Sequence, residues 1–303
     1  MKKVYFTQIN NLIADAIFLP LSVAYIWEYC KTQVTDWELG NIFFERESVD
    51  DYLKKIDNPD ILALSTYVWN WDITCQLARA VKKKYPNCKI IMGGPQVPFK
   101  QSWLEDNTDL CDIIVTYAGE RAFAEILKGN YTYPGVMTKD SYTPPKPDRE
   151  LNDIPSPYLS GLMDSLMEPG KQYSAIIETN RGCPYSCSFC DQQDLYYNKI
   201  AMFDYDRVIG EIDWIVKNKI DFLYFGDSNV GMFNRDVDFI RHIAKCRNET
   251  GYPRQIDYST AKQQPKRIVE LGEILNKEAK IRRGVTIALQ SMNPKTLKAI
   301  KRI

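Results

Sequence analysis

Short apolar runs alternate with amphipathic stretches along almost the whole chain, and this rhythm narrows the possible folds more than any other feature. In the first half, residues 4–8, 41–45, 61–67, 89–92 and 112–116 have the length and composition of buried strands. Between them, 21–31, 49–56, 72–84 and 120–128 space their apolar residues as helices do, with Leu77, Ala80 and Val81 on one face of the third. The same alternation returns in the second half, with strands expected at 174–178, 222–225, 255–259 and 284–289. Helices are expected at 205–217, 236–247, 266–277 and from Pro294 onward.

Strictly alternating strands and helices form parallel sheets covered by helices. Residues 1–130 therefore predict a Rossmann- or flavodoxin-like α/β domain. Residues 131–172 are rich in proline (Pro144, Pro145, Pro147, Pro155, Pro157, Pro169) and predict a linker with one short helix near Leu162. Residues 173–303 follow a (β/α)-barrel progression, in which the chemistry sits in the loops after the strands. That progression stops after four strands, so the expectation is a partial barrel, truncated at its C-terminal side.

Lysine plus arginine and aspartate plus glutamate balance at 39 each, so no global field favours nucleic acid or an anionic membrane. The apolar window 13–27 contains Asp15, Pro20 and Ser22 and is too short to span a bilayer, and the N-terminus lacks a signal-peptide pattern. The expected location is the cytoplasm. Cys30, Cys75, Cys88, Cys111 and Cys246 are scattered in apolar or helical contexts and are expected as buried free thiols.

The other three of the eight cysteines fall in RGCPYSCSFCD, residues 181–191, spaced C-x3-C-x2-C. Three readings fit. A structural zinc site needs a fourth ligand; the only histidine, His242, and Cys246 both lie in the helix after the next strand, where an ordinary helix-face role competes. An iron–sulfur electron carrier usually has four cysteines. A [4Fe–4S] cluster on Cys183, Cys187 and Cys190 leaves one iron free for a ligand, and here the missing cysteine is a feature.

ETNRGCPYSCSFCD, with aromatic Phe189 before the last cysteine, resembles the cluster loop of radical S-adenosylmethionine (SAM) enzymes. The resemblance implies that the fourth iron binds SAM and that reductive cleavage gives a 5′-deoxyadenosyl radical. It implies SAM contacts from Gly226, Asp227 and Ser228 in LYFGDSNVGM, where the family more often has Gly-Gly-Glu, with Asp227 receiving the SAM ammonium. It also implies contacts from Gln290 and Ser291 in IALQSMN and, more weakly, from Ser259, Thr260 and Lys262.

Segments 18–29, 64–70, 92–98 and 116–127, followed by IPSPYL, resemble the N-terminal cobalamin-binding domain of one large subgroup of that family. This implies a corrinoid at the C-terminal edge of the first sheet, near Ser65, Thr66, Gly93, Gly94, Gly119 and Glu120. The family's D-x-H-x-x-G cobalt-ligand motif is absent, and His242 is the only histidine, so no imidazole ligand is expected from this domain. The activity implied is cobalamin-dependent methylation of an unreactive carbon in a small-molecule, peptide or natural-product substrate, with electrons from a flavodoxin- or ferredoxin-like donor. The alternatives are cobalamin-independent rearrangement, thiolation or epimerisation, or a noncatalytic cluster-binding module. Tyr185, Tyr196, Tyr197, Trp69 and Trp71 are aromatics that serve equally as stacking platforms or as packing.

Overall fold

The computed structural model describes residues 1–13, 16–147, 149–190, 199–281 and 288–302. The chain divides into two units, Met1–Lys146 with Asp153–Glu168, and Pro147–Asn152 with Pro169–Ile303.

The first unit begins with β1 (Lys2–Thr7) and a small antiparallel hairpin of β2 (Leu12–Ile13) and β3 (Ala16–Phe18). It continues through α1 (Leu21–Gln33), β4 (Trp37–Phe43), α2 (Val49–Lys55), β5 (Ile61–Ser65), α3 (Trp71–Lys84), β6 (Lys89–Gly93) and α4 (Gln101–Asp106). It ends with β7 (Ile113–Val115), α5 (Glu120–Leu127), β8 (Val136–Met137) and α6 (Leu162–Leu166). The sheet order is β4-β1-β5-β6-β7-β8, parallel except for β8, which runs antiparallel to β7. Without β8 this is the flavodoxin-like order 2-1-3-4-5, whose ligands bind beyond the strand C-termini at the switch between the first and third strands.

Strand alternation explains why both faces are covered. Tyr5, Leu62, Leu64, Ile90, Met92 and Ile114 pack with Tyr52, Leu77, Val81 and Leu104 of α2, α3 and α4. Phe6 points the other way, its ring 5.1 Å from Phe123 of α5 and 6.3 Å from Trp27 of α1. Helix α1 buries Leu21, Val23, Ala24, Tyr25, Trp27 and Tyr29, so apolar residues nearly encircle it. Ser48 caps α2 by accepting from the Asp51 backbone N–H, and Asp50, Asp51, Lys54 and Lys55 complement the helix dipole. Trp71 meets Trp103 with 6.1 Å between ring centroids and packs against the core.

Two short elements are not legible as periodic runs. β8 falls inside the proline-rich stretch and exists because Val136 pairs with Val115 and Met137 with Ile114. The β2–β3 pair straddles the start of the apolar window at 13–27, with Leu12 just before it. The proline-rich stretch is packed chain: Ile154, Tyr158 and Met163 are buried, and Asp153 pairs with Arg121 at 2.9 Å. Cys30, Cys75, Cys88, Cys111 and Cys246 are buried and free.

The second unit contains β9 (Tyr173–Ile177), β10 (Asn180–Arg181), β11 (Ala201–Met202), α7 (Tyr205–Lys217), β12 (Phe222–Val230), α8 (Asn234–Thr250), β13 (Gln255–Thr260), α9 (Pro265–Glu273) and α10 (Pro294–Ala299). Instead of continuing as an α-helix to Lys277, α9 widens into a π-turn, Ile274–Glu278. β12 lies between β9 and β13, parallel to both, so these are successive β/α units. It runs on to Val230, well past the expected end at Phe225. Residues 284–287 of the expected fourth strand, and Tyr196 and Tyr197, lie outside the described residues; Ala288 and Leu289 are not in a strand. Among the described residues, no helix is long and apolar enough to cross a membrane.

Candidate cofactor site

The cysteine loop leaves the C-terminal end of β9 and is pinned at its base. Asn180 and Arg181 of β10 pair with Met202 and Ala201 of β11. Gly182 sits at φ +111°, and a Cβ there would lie 2.7 Å from the Lys199 carbonyl oxygen. Only glycine fits this crossing without strain. Beyond it, Cys183 and Cys187 are buried and Cys190 is half-buried, with the Cys190 N–H donating to the Cys187 carbonyl at 3.0 Å. Phe189 is exposed on the loop surface. The Ser188 N–H donates to the Ile300 carbonyl at 3.1 Å, and the Lys262 ammonium lies 5.5 Å from the Tyr185 ring centroid.

β12 supplies the polar shell. Its register with β13 shifts between Phe225 and Val230, an irregularity of the kind that re-aims side chains near functional sites. Inside it, Gly226 is exposed, Ser228 is half-buried, and Asp227 and Asn229 are buried. The Asp227 carboxylate accepts from the Thr179 N–H (3.1 Å), the Thr179 hydroxyl (2.8 Å), the Asn180 N–H (2.8 Å) and the Asn180 side-chain amide (2.5 Å). It therefore fixes the turn that launches the cysteine loop. Burial pushes its carboxyl up to about 7 against the opposing pull of the Thr179 donors, and the Glu178 and Asp236 charges add to the rise. Asn229 donates from Nδ2 to Cys183 Sγ at 3.3 Å, while its buried Oδ1 has no hydrogen-bond partner. Gln290 is exposed at φ +65°, and Ser291 accepts from the Asn293 N–H at 3.1 Å.

The C-terminal edge of the first sheet is a second candidate site. Asn70 ties its switch point, donating to the carbonyls of Ile9 and Ser65 at 3.0 Å each. Thr66 is buried, donates its hydroxyl to the Gly93 carbonyl at 2.8 Å and accepts from the Val97 N–H at 3.1 Å. Gly94 is at φ +103°, and a Cβ there would meet the Thr66 carbonyl oxygen at 2.5 Å, so its bareness admits the neighbouring loop. Gly93 is half-buried against the Val115 carbonyl, and a Cβ on Gly119 would meet Ile26 of α1 at 2.7 Å. Glu120 is buried in the first turn of α5, and Ser65 is half-buried. Several large apolar side chains of this edge are open to solvent, beside Lys100 and the half-buried Gln96. Val68, Trp69, Phe99 and Tyr117 are exposed, with Trp69 stacked on Tyr67 at 4.4 Å and Phe99 beside Tyr117 at 5.6 Å.

Comparison with known proteins shows the family. The B12 binding domain family matches residues 12–127. The chain is 33% identical over 320 residues to the cobalamin-dependent radical SAM methyltransferase TokK of Streptomyces tokunonensis, an alignment covering 99% of this chain and 46% of that protein. It is 32% identical, with the same coverage, to the 2-(S-pantetheinyl)-carbapenam-3-carboxylate methyltransferase of Streptantibioticus cattleyicolor. The chain belongs to the radical SAM family with an N-terminal cobalamin-binding-like domain. It spans about half the length of these curated relatives, 46% in each case. Its fold matches the cobalamin-dependent radical SAM enzyme OxsB solved with aqua-cobalamin and SAM bound (TM-score 0.69, 17% identity, covering 100% of this chain and 46% of that one). It also matches the methyltransferase TsrM of Kitasatospora setae solved with cobalamin and a [4Fe–4S] cluster (TM-score 0.65, 14% identity, covering 99% and 61%).

In this radical SAM chain the sequence pattern points to the cysteines, but the contacts made by Asn229 and Lys262 emerge only from the fold. A period-two reading of β12 extended past Phe225 would have put Asp227 and Asn229 on one face. The exposed aromatics at the first sheet's edge carry no periodic signal, because they lie in loops.

Proposed function

We propose that this chain is the cofactor-bearing part of a cobalamin-dependent radical SAM methyltransferase acting on an unreactive carbon. One observation carries the reading: a three-cysteine loop pinned at its base, with a buried amide donating to its first sulfur. Thiol donors in a dry, hydrogen-bonding shell suit an iron–sulfur cluster. When bound, the cluster with SAM supplies a 5′-deoxyadenosyl radical and cobalamin supplies the methyl group.

The chain's own residues then have distinct tasks. Cys183, Cys187 and Cys190 hold the cluster as thiolates. Asn229 steadies Cys183 and leaves its own carbonyl oxygen for a donor. Asp227 holds the loop's launching turn, which leaves the SAM ammonium to neighbouring groups. Phe189, Gly226, Ser228, Gln290 and Ser291 are assigned to SAM, with Lys262 held beside the loop through Tyr185.

At the first sheet's edge, the internal bonds of Thr66 and the packing of Gly94 and Gly119 leave apolar contact as the main means of holding a flat corrinoid. Val68, Trp69, Phe99 and Tyr117 suit that role, alongside Ser65, Gly93 and Glu120. With His242 the only histidine, cobalt receives no imidazole from this unit. The substrate class is a small natural-product molecule, and the electron donor a flavodoxin- or ferredoxin-like protein.

Anaerobic reconstitution tests the reading. Iron and sulfide should each approach about four per chain, the cubane stoichiometry. The reduced protein should convert SAM to 5′-deoxyadenosine, and Cys187→Ala should abolish this. Undiminished 5′-deoxyadenosine from the variant would refute the cluster assignment. Added hydroxocobalamin should remain with the protein through desalting and show its corrin bands; its loss would refute the corrinoid half alone.

A further inference from the structure

A separate set of metal-ligating side chains converges between α7 and α8. His242 and Cys246 stand four residues apart on α8 and so share a face, and Asp213 reaches them from α7. The His242 Nε2 lies 2.6 Å from Asp213 Oδ1 and 3.6 Å from Cys246 Sγ, and all three ligand atoms lie within 4.8 Å of one another. One proton bonds only part of this cluster. Nε2 carries either one hydrogen or one lone pair, so it cannot both donate to the carboxylate and accept from the thiol.

A single cation satisfies all three groups at once. Zinc–ligand bonds of about 2.0–2.3 Å set tetrahedral ligand atoms about 3.3–3.7 Å apart. The nitrogen–sulfur separation of 3.6 Å already meets that spacing. The oxygen–nitrogen separation must open by under about 1 Å, and Asp213 has room to yield because its side chain is 56% exposed. One thiolate with one imidazole favours zinc-like ions over magnesium or calcium.

We propose that Asp213, His242 and Cys246 bind one divalent transition-metal ion of the zinc class, with water completing its shell, and that the ion clamps α7 to α8. Binding displaces the Cys246 thiol proton to solvent and involves no redox step. The site shares no ligand with the cysteine loop, so it stands or falls independently of the function proposed above.

The test uses cluster-loaded protein under anaerobic conditions, titrated with zinc chloride against a chromophoric chelator, with metal analysis after desalting. One zinc per chain should be retained beyond the iron, the cluster absorbance should not change, and the thermal midpoint should rise. His242→Gln and Cys246→Ser should each weaken zinc binding roughly 100-fold or more, and Asp213→Asn about tenfold. Unchanged circular dichroism and iron content establish that each variant is folded. The proposal is overturned if wild-type protein retains no zinc, if His242→Gln binds zinc as wild type does, or if Cys246→Ser leaves affinity intact, which would reduce the site to a surface histidine–carboxylate contact.

Discussion

Two loop systems leave the C-terminal ends of parallel strands, one in each unit, and they are built on opposite chemistry. At the cysteine loop the polar groups are buried on the neighbouring strand β12 and aimed at the loop and its base: Asp227 at residues 179–180, Asn229 at Cys183. At the edge of the first sheet Thr66 and Asn70 are also buried, but they bond to the backbone of the sheet and its loops, and three aromatic side chains, Trp69, Phe99 and Tyr117, are exposed. The first arrangement suits a small, strongly ligated group that needs each donor in place. The second suits a broad, flat ligand held by area, where no single contact decides.

The contrast can be broken most severely at Gly182. Gly182→Ala forces a Cβ against the Lys199 carbonyl at a positive φ, costing about 1–3 kcal/mol locally. Iron content per chain should fall severalfold, while hydroxocobalamin binding is unaffected. A variant with full iron would show that the loop base does not govern cluster loading. Replacing Trp69 and Phe99 together by serine should have the converse effect, weakening hydroxocobalamin binding roughly tenfold through lost apolar contact and leaving iron unchanged. Equal corrinoid affinity in a spectrophotometric titration would remove the rim from the site.

Asp227 sharpens the comparison through pH. Its carboxyl is raised from 3.8 to about 7, so the folded chain holds this proton more tightly than the unfolded chain. Its contribution to stability is therefore full below about pH 4 and is lost as pH rises through about 7. Asp227→Asn should flatten that decline by up to about 1.4 kcal/mol per pH unit, measured as urea midpoints of metal-free protein. An unchanged slope would place the titration elsewhere. The smallest effect is expected for Asn229→Leu, which keeps the iron but removes an N–H from Cys183. The cluster midpoint potential should fall by on the order of tens of millivolts, and an identical potential in an anaerobic redox titration would exclude the amide from the cluster's shell.

Much of the architecture is legible in the chain because its determinants are local. A parallel sheet covered by helices follows from strand–helix alternation, which leaves Rossmann- and flavodoxin-like orders both open, and the free thiols follow from their apolar surroundings. Elements made by pairing rather than by pattern are not. β8 is two residues long and cannot show a period, and the extension of β12 through Asn229 crosses a glycine and an aspartate that read as a turn. Within the candidate site, spacing singles out Cys183, Cys187 and Cys190, because three thiols in eight positions have few ordinary explanations. The partners of Asp227 lie 47 and 48 residues away, and those of Asn229 and Asp213 lie 46 and 29 away. No local window contains such pairs.

Asp227 and Asn229 stand two apart on one strand, both buried on the same side. One fixes where the cysteine loop departs, and the other touches its first sulfur. A slip of β12 by a single residue would turn both away together, so the loop's position and the hydrogen bond to its first sulfur share one point of failure. For the same reason they share one point of control: whatever holds the register of β12 holds the loop's departure and the contact to its first sulfur together.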